Sequence, residues 1–321
     1  MTTSRANPLP VRALRAFTLA VLCSLPVLLC TACSTRTGNA GHLLICGGGM
    51  KDNNTAVYGR FVELAGEGAT IGVVPTATGV ENPGAATLEL LRSFAKPSQR
   101  VILLPLTKDD QANADKPDVA DLVRSCHGLW FVGGDQSRIT GVFRPPHTPA
   151  PTVPGFAAPS TTQIPSLVYM AAMDVLRANG VIAGTSAGAA MMSSPMITGG
   201  SAEDALMHGA VWANDPKEGQ GVGLATGMGF FTYGLIDQHF LERGRLGRLL
   251  VAMHAAGIHD AWAIRENGCL EVDRATGRMR AIGPYAVVHV RLPKGARPDD
   301  GHIPNIDLMP REQWDKVQLG D

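Results

Sequence analysis

No excess of charge of either sign runs through this 321-residue chain, since 28 Lys and Arg residues balance 28 Asp and Glu. Nothing at the level of the whole chain therefore points to nucleic acid or another polyanion. Aromatic residues are scarce at 5%, too few for a base-stacking platform. Cysteine is sparse as well (6 in all), none of Cys46, Cys126 and Cys269 has a C-x-x-C partner, and no histidine pair stands at helical metal-binding spacing beside a carboxylate. Neither a metal nor a cofactor is called for. Internal repeats are absent. Glycine (37) and proline (22) together make fewer than one residue in five, which is turn-rich but not low-complexity. With 45% hydrophobic and only 17% charged residues, the chain has ample material for a buried core. A compact enzyme or binding domain remains.

The first residues read as an address. Arg5, Arg12 and Arg15 precede an uncharged run from Ala16 to Ala32, whose apolar part has the length of a signal-peptide core and is short for a membrane span. It ends in Leu29-Cys30-Thr31-Ala32-Cys33, small residues before a cysteine, which resembles a bacterial lipobox. The expectation is a leader over 1–32, lipidation at Cys33 and a tether over 33–41, so that the protein is exported and held by its lipid in the cell envelope. An ordinary secretory signal cleaved after Ala32 is the alternative. Once the leader is gone, Cys46, Cys126 and Cys269 are left, enough for one disulfide and one free thiol.

From residue 42 to the end the pattern is that of one α/β domain. His42–Cys46, Thr70–Pro75, Arg100–Leu104, Leu129–Val132 and Val181–Gly184 are short apolar runs. Segments of helical character separate them, among them Tyr58–Leu64, Ala86–Phe94, Leu167–Ala178 and Ala187–Met192. Continuously apolar strands alternating with helices predict a doubly wound, mostly parallel sheet with helices on both faces. The site is then expected at the carboxyl ends of the strands. A proline-rich stretch, about 145–165, interrupts the rhythm as an insertion, and the tail after Pro293 reads as polar and irregular.

Three segments carry chemistry. Gly184-Thr185-Ser186-Ala187-Gly188 follows a strand and opens a helix, the context required of a nucleophile elbow. The bland reading is a small-residue turn with a capping serine. A serine needs a base, and His239 in Asp237-Gln238-His239-Phe240 is the best placed. Asp237 is expected to cap the helix that follows, with His239 and Arg243 on one helical face and Arg245 and Arg248 on a neighbouring one. Gly244 and Gly247 would each cost roughly 1 kcal/mol inside that helix, which suggests close approach by another segment or a ligand. Finally, Phe131-Val132-Gly133-Gly134-Asp135-Gln136 ends a strand in exposed backbone amides. With the Ala187 amide after the serine, Gly133 and Gly134 are oxyanion-hole donors, and Gln136 can reach a substrate.

Taken together, Gly47-Gly48-Gly49, VPTA at 74–77, FVGGDQSRI at 131–139, GTSAGAA at 184–190 and IDQHFLERGRLGRLL at 236–250 resemble the cyanophycinases over about residues 42–290. These are serine peptidases related to aspartyl dipeptidases, with a class I glutamine-amidotransferase-like fold. The resemblance implies Ser186 as nucleophile, His239 as general base and Glu266 as its orienting acid. It further implies Gln136, Asp237, Gln238, Arg243, Arg245 and Arg248 as the substrate pocket. Cyanophycin, a poly-aspartate with arginine linked to each β-carboxyl, is the implied substrate, cleaved to β-Asp-Arg without a cofactor. A homodimer is implied too. Arg265 stands where the family usually has an acidic residue, Asn267-Gly268-Cys269 replaces its usual continuation, and Met50 replaces a frequent acid. Asp204 is therefore kept as a second choice of triad acid. Other readings are an aspartyl or isoaspartyl dipeptidase of the same fold, an α/β-hydrolase esterase using His289 or His302, and a lipoprotein binding module without catalysis.

Overall fold

Apolar runs without polar alternation become the inner strands, because both of their faces are covered. The computed structural model describes residues 40–82, 84–144, 146, 164–293, 305–309 and 315–316. The leader, Cys33, most of the tether and most of the 145–165 insertion lie outside them. Strand β1 (His42–Cys46) leads to helix α1 (Thr55–Ala65), β2 (Thr70–Val74), α2 (Ala85–Phe94) and β3 (Arg100–Leu103). Then come α3 (Pro117–Arg124), β4 (Gly128–Phe131), α4 (Gln136–Phe143), α5 (Leu167–Arg177), β5 (Val181–Thr185) and α6 (Ala187–Ala190). Beyond lie β6 (Met196–Gly199), α7 (Ala202–His208), β7 (Ala210–Trp212), β8 (Val222–Ala225), β9 (Leu235–Asp237) and α8 (Leu246–Ala256). The chain continues through β10 (Asp260–Ala263), β11 (Cys269–Asp273), β12 (Arg278–Ile282), β13 (Val287–Arg291), β14 (Asn305–Met309) and β15 (Asp315–Lys316).

The main sheet has the order β15-β12-β11-β1-β5-β4-β2-β3. Its β1-β5-β4-β2-β3 part is parallel, as the apolar runs predict, and β11, β12 and β15 extend it antiparallel. A second sheet is ordered β14-β13-β10-β9, and a small one β6-β8-β7. Asn305–Met309 pairs with β13, so this part of the polar tail is a strand and not irregular. The core sits between sheet and helices: Leu43, Leu44 and Ile45 are fully buried, and Trp130 packs against Tyr58 and Phe61. Local capping agrees with the sequence. Asn54, Asp135 and Ser166 each accept a backbone amide at the start of α1, α4 and α5. Among the described residues no helix is long and apolar enough to cross a membrane.

This order sets β1, β5 and β4 side by side. Their carboxyl ends therefore deliver Gly47–Gly49, Thr185-Ser186 and Gly133-Gly134 to one edge of the sheet.

Candidate active site

Ser186 stands at φ 54° and ψ −110°, a backbone state that a non-glycine residue adopts at a cost of about 1–3 kcal/mol. The surroundings explain how it is held. A Cβ on Gly184 would lie 2.2 Å from the Gly188 carbonyl oxygen, and one on Gly188 would lie 2.5 Å from that of Phe131. Both glycines of the pentapeptide are thus required by contact with backbone that cannot yield. The Ser186 amide donates to the Cys46 carbonyl at 3.1 Å, tying the turn to the end of β1. Its side chain makes no capping bond to α6. Instead Ser186 Oγ is 2.8 Å from His239 Nε2. The serine is thereby turned away from capping and toward a base.

His239 lies in the turn between β9 and α8, at φ 48°, with its amide donating to the Gly47 carbonyl at 2.7 Å. Its Nδ1 is 2.5 Å from Glu266 Oε1. The nearby glycines make room for this pair: a Cβ on Gly48 would fall 2.2 Å from His239 Nε2, and one on Gly49 would fall 2.6 Å from Glu266 Oε2. Burial holds the His239 imidazole below its ordinary value of 6.5. The Glu266 hydrogen bond pulls the other way, and the Arg243 and Arg245 charges add to the drop. A neutral imidazole with Nδ1–H donated to a carboxylate leaves Nε2 free to take the serine proton.

Glu266, and not Asp204, meets the histidine. Asp204 lies in α7, where it contacts His208 at 2.8 Å and accepts the Gly219 and Gly221 amides. Glu242, which the sequence reading passed over, holds the acid in place. Its carboxylate accepts the Glu266 amide at 3.1 Å and Arg265 Nε at 2.9 Å. Arg265 also lies over the Tyr285 ring, 4.1 Å from its centroid. The arginine that departs from the family pattern thus serves the triad loop through Glu242. The signal was present in the quoted string, as the glutamate of His239-Phe240-Leu241-Glu242-Arg243.

The expected substrate pocket is only partly open. Helix α8 starts at Leu246, so Asp237 does not cap it and His239 does not share a helical face with Arg243. The positive φ of His239 and Gly244 keeps the intervening chain in turns. Gly244 has open space about it and serves its backbone angle, whereas a Cβ on Gly247 would lie 3.0 Å from Leu206 and 3.2 Å from Ala202 of α7. Asp237 is closed upon Arg248: Arg248 Nε donates to Oδ2 at 2.9 Å, Nη2 donates to Oδ1, and Nη1 donates to the Gly200 carbonyl at 2.9 Å. Both side chains are at most 4% exposed, so this pair is built into the structure and does not present itself to a guanidinium. Gln136 is buried too, its Nε2 donating to the Ile197 and Thr198 carbonyls. Gln238 is buried, with Oε1 lacking a partner among the described residues.

Two arginines remain toward the histidine. Arg243 is exposed. Arg245 donates to the Gln238 carbonyl at 2.5 Å and lies 3.6 Å from Asp237, and burial lowers its guanidinium to about 10. It is still a cation at neutral pH. On the other side, a Cβ on Gly133 would approach Ser186 Cβ at 3.5 Å. Among the described residues no carbonyl accepts the Gly133, Gly134 or Ala187 amide, so these donors are available beside the serine. Gly133 and Val132 also border a cavity of about 420 Å³ whose other lining residues are Thr78, Val80, Glu81, Asn82, Gly84, Ala85, Ala86 and Thr87, and to which Ser186, His239 and Glu266 do not contribute. The esterase alternative loses one of its histidines. His289 is bound to Asp260 at 2.8 Å and stacked on Trp262, while His302 lies outside the described residues. Among the described residues no group of three or more His, Cys, Asp or Glu is placed to hold a metal.

If Glu266 fixes the histidine tautomer, Glu266→Gln lowers kcat by about 10²–10⁴ while the fold persists. Steady-state kinetics with a far-ultraviolet circular dichroism control checks this, and a loss below tenfold would remove Glu266 from the relay.

No protein-family model matches the chain. It is 27% identical over 258 residues to a cyanophycinase of Synechococcus elongatus, covering 79% of this chain and 69% of that protein. A cyanophycinase of Trichormus variabilis is 26% identical over 289 residues, covering 86% and 85%. Among solved structures, a peptidase from an acI-B1 Actinobacterium has a TM-score of 0.56 at 18% identity, covering 87% of this chain and 98% of that one. That likeness is one of fold, an α/β architecture shared over nearly the whole of the solved chain. In sequence, then, the chain is similar to the cyanophycinases, and these relatives mark it as an enzyme of the peptidase type.

Proposed function

We propose that this chain is a serine peptidase that hydrolyses cyanophycin to β-Asp-Arg through an acyl-enzyme. One observation carries the reading: a strained serine is hydrogen-bonded to a histidine that is itself bound to a carboxylate. Ser186 Oγ attacks the scissile carbonyl as His239 Nε2 takes its proton, and Glu266 stabilises the imidazolium that forms. The oxyanion meets the Gly133, Gly134 and Ala187 amides. His239 then returns the proton to the leaving amine, and water completes the cycle by the reverse path. Arg243 and Arg245 provide cations for the free α-carboxylates of the substrate's arginyl branches, since its aspartyl carboxyls are held in amide bonds. The name borne by the curated relatives supports the choice of polymer.

Incubation of residues 34–321 with purified cyanophycin, read by mass spectrometry, tests the substrate. Release of β-Asp-Arg is expected. Cleavage of β-aspartyl dipeptides alone would make the protein a dipeptidase of the same fold, and silence on both would leave a binding module. We also place the protein outside the cytoplasm, cleaved before Cys33 and lipidated there. The support is the Arg5–Cys33 pattern. Recovery of the Cys33→Ala protein in the membrane fraction, unchanged from the parent, would contradict lipid anchoring.

The pH dependence follows from the base. His239 works as neutral imidazole, and burial keeps its pKa below 6.5. Activity is therefore full at neutral pH and is lost as pH falls through that lowered value. The acid limb of kcat/KM is expected below pH 6.5, moving upward in Arg243→Gln, where a neighbouring positive charge is gone. A rate flat from about pH 4 to 8 would exclude the role.

A further inference from the structure

Cys46 and Cys269 face each other across β1 and β11, and the ladder shows what kind of pair they make. In this antiparallel register Cys46 is opposite Cys269. The Gly47 amide donates to the Gly268 carbonyl at 3.0 Å, and the Arg274 amide donates to that of Gly41 at 3.0 Å. Residues 41 and 274, like 47 and 268, therefore occupy hydrogen-bonded positions of the ladder. Alternation then puts 46 and 269 at a non-hydrogen-bonded position, where Cα atoms stand about 4.5 Å apart and side chains are closest. That separation lies inside the range a disulfide spans. Both residues are fully buried and stand in the structure as free thiols, with Cys46 Sγ 3.8 Å from the Leu44 carbonyl oxygen. Cys126, the other described cysteine, follows α3 and bonds the Leu122 carbonyl.

We propose that Cys46 and Cys269 form a cross-strand disulfide when the chain folds in the presence of a disulfide donor. The bond would fasten the two strand ends that carry the site. Beside Cys46 are the carbonyl that holds the Ser186 amide and the glycines that accommodate His239 and Glu266. Beside Cys269 is the Glu266–Gly268 turn. The chemistry is two successive exchanges. One thiolate attacks the donor disulfide, for instance glutathione disulfide, giving a mixed disulfide and one glutathione thiol. The second cysteine thiolate then displaces the other glutathione, so that two cysteine thiols are oxidised and one donor disulfide is reduced. Timing is set by burial, which pushes the Cys269 thiol well up in the folded chain and so withholds the thiolate. The link thus forms during folding, and a chain folded while reduced stays reduced.

The full chain, denatured and reduced, is refolded with glutathione disulfide, its remaining thiols alkylated, and its peptides mapped by mass spectrometry. A second sample, made by cell-free translation in the same buffer, serves if the denatured chain does not refold. The expected result is a linked Cys46–Cys269 peptide, lighter by two hydrogens than its halves, with Cys126 alkylated. A chain folded under dithiothreitol and then given the donor for the same time is expected to show both cysteines alkylated. Alkylation of both in the oxidatively folded samples, or a link from either to any other cysteine of the chain, would overturn the proposal. Equal linkage in the pre-folded sample would overturn its timing.

Discussion

Ser186→Ala is expected to lower kcat by about 10⁴-fold or more with little change in substrate binding. Every contact that shapes the site stays in the variant. The elbow is held by backbone, through the Ser186 amide on the Cys46 carbonyl and the close approach of Gly188 to Phe131. The hydroxyl contributes no capping bond whose loss would loosen α6. What disappears is the atom that forms the acyl-enzyme, together with the partner of His239 Nε2. Alanine also suits the position sterically, although the positive φ stays unfavourable for it as for serine. Stability is therefore expected within about 1 kcal/mol of the parent, so that loss of activity reports chemistry. Kinetics and denaturant titration on the same preparation separate the two. A variant with more than a tenth of parental kcat would show that Ser186 is not the nucleophile.

The second large effect is on stability. Asp237→Asn is expected to destabilise the protein by about 3–5 kcal/mol, because it leaves Arg248 as a buried cation without its counter-charge. Arg248 is only 3% exposed, so solvent has little access with which to replace the lost carboxylate. Arg245 adds to the effect, since the same carboxylate lies 3.6 Å from its guanidinium and opposes the repulsion between the two arginines. Urea denaturation monitored by circular dichroism measures it. A change below about 1 kcal/mol, accompanied by a raised KM, would return Asp237 to the role of a substrate-binding residue.

That contrast shows where the sequence was legible. The parallel strands were read closely, β1 to the residue, because full burial leaves a run of Val, Ile and Leu bounded by turns. The elbow was legible for the same reason: its glycines, serine and flanking elements are contiguous, and the constraint is local. Position 237 was not. Asp237 and Arg248 meet only because β9, a turned segment and the first turn of α8 fold back on themselves. No periodicity encodes that return. The helix boundary failed for a related reason, as His239 and Gly244 take positive φ angles that their residue types allow but do not announce. Glu242 was visible as a letter in the motif, yet its role depends on Arg265 and Glu266 arriving from the end of β10. The antiparallel extension through β11 and β12 was likewise unread, and with it the register that opposes Cys46 to Cys269.

The claim at the centre of this account is that His239 activates Ser186. A fluorophosphonate tests it without reference to substrate, since only an activated serine displaces fluoride to form a stable phosphonyl ester. After treatment at neutral pH and peptide mapping, the account predicts a single adduct on the peptide carrying Ser186, absent when His239 is replaced by alanine. A folded protein whose Ser186 stays unmodified, or is modified equally with and without His239, would contradict it.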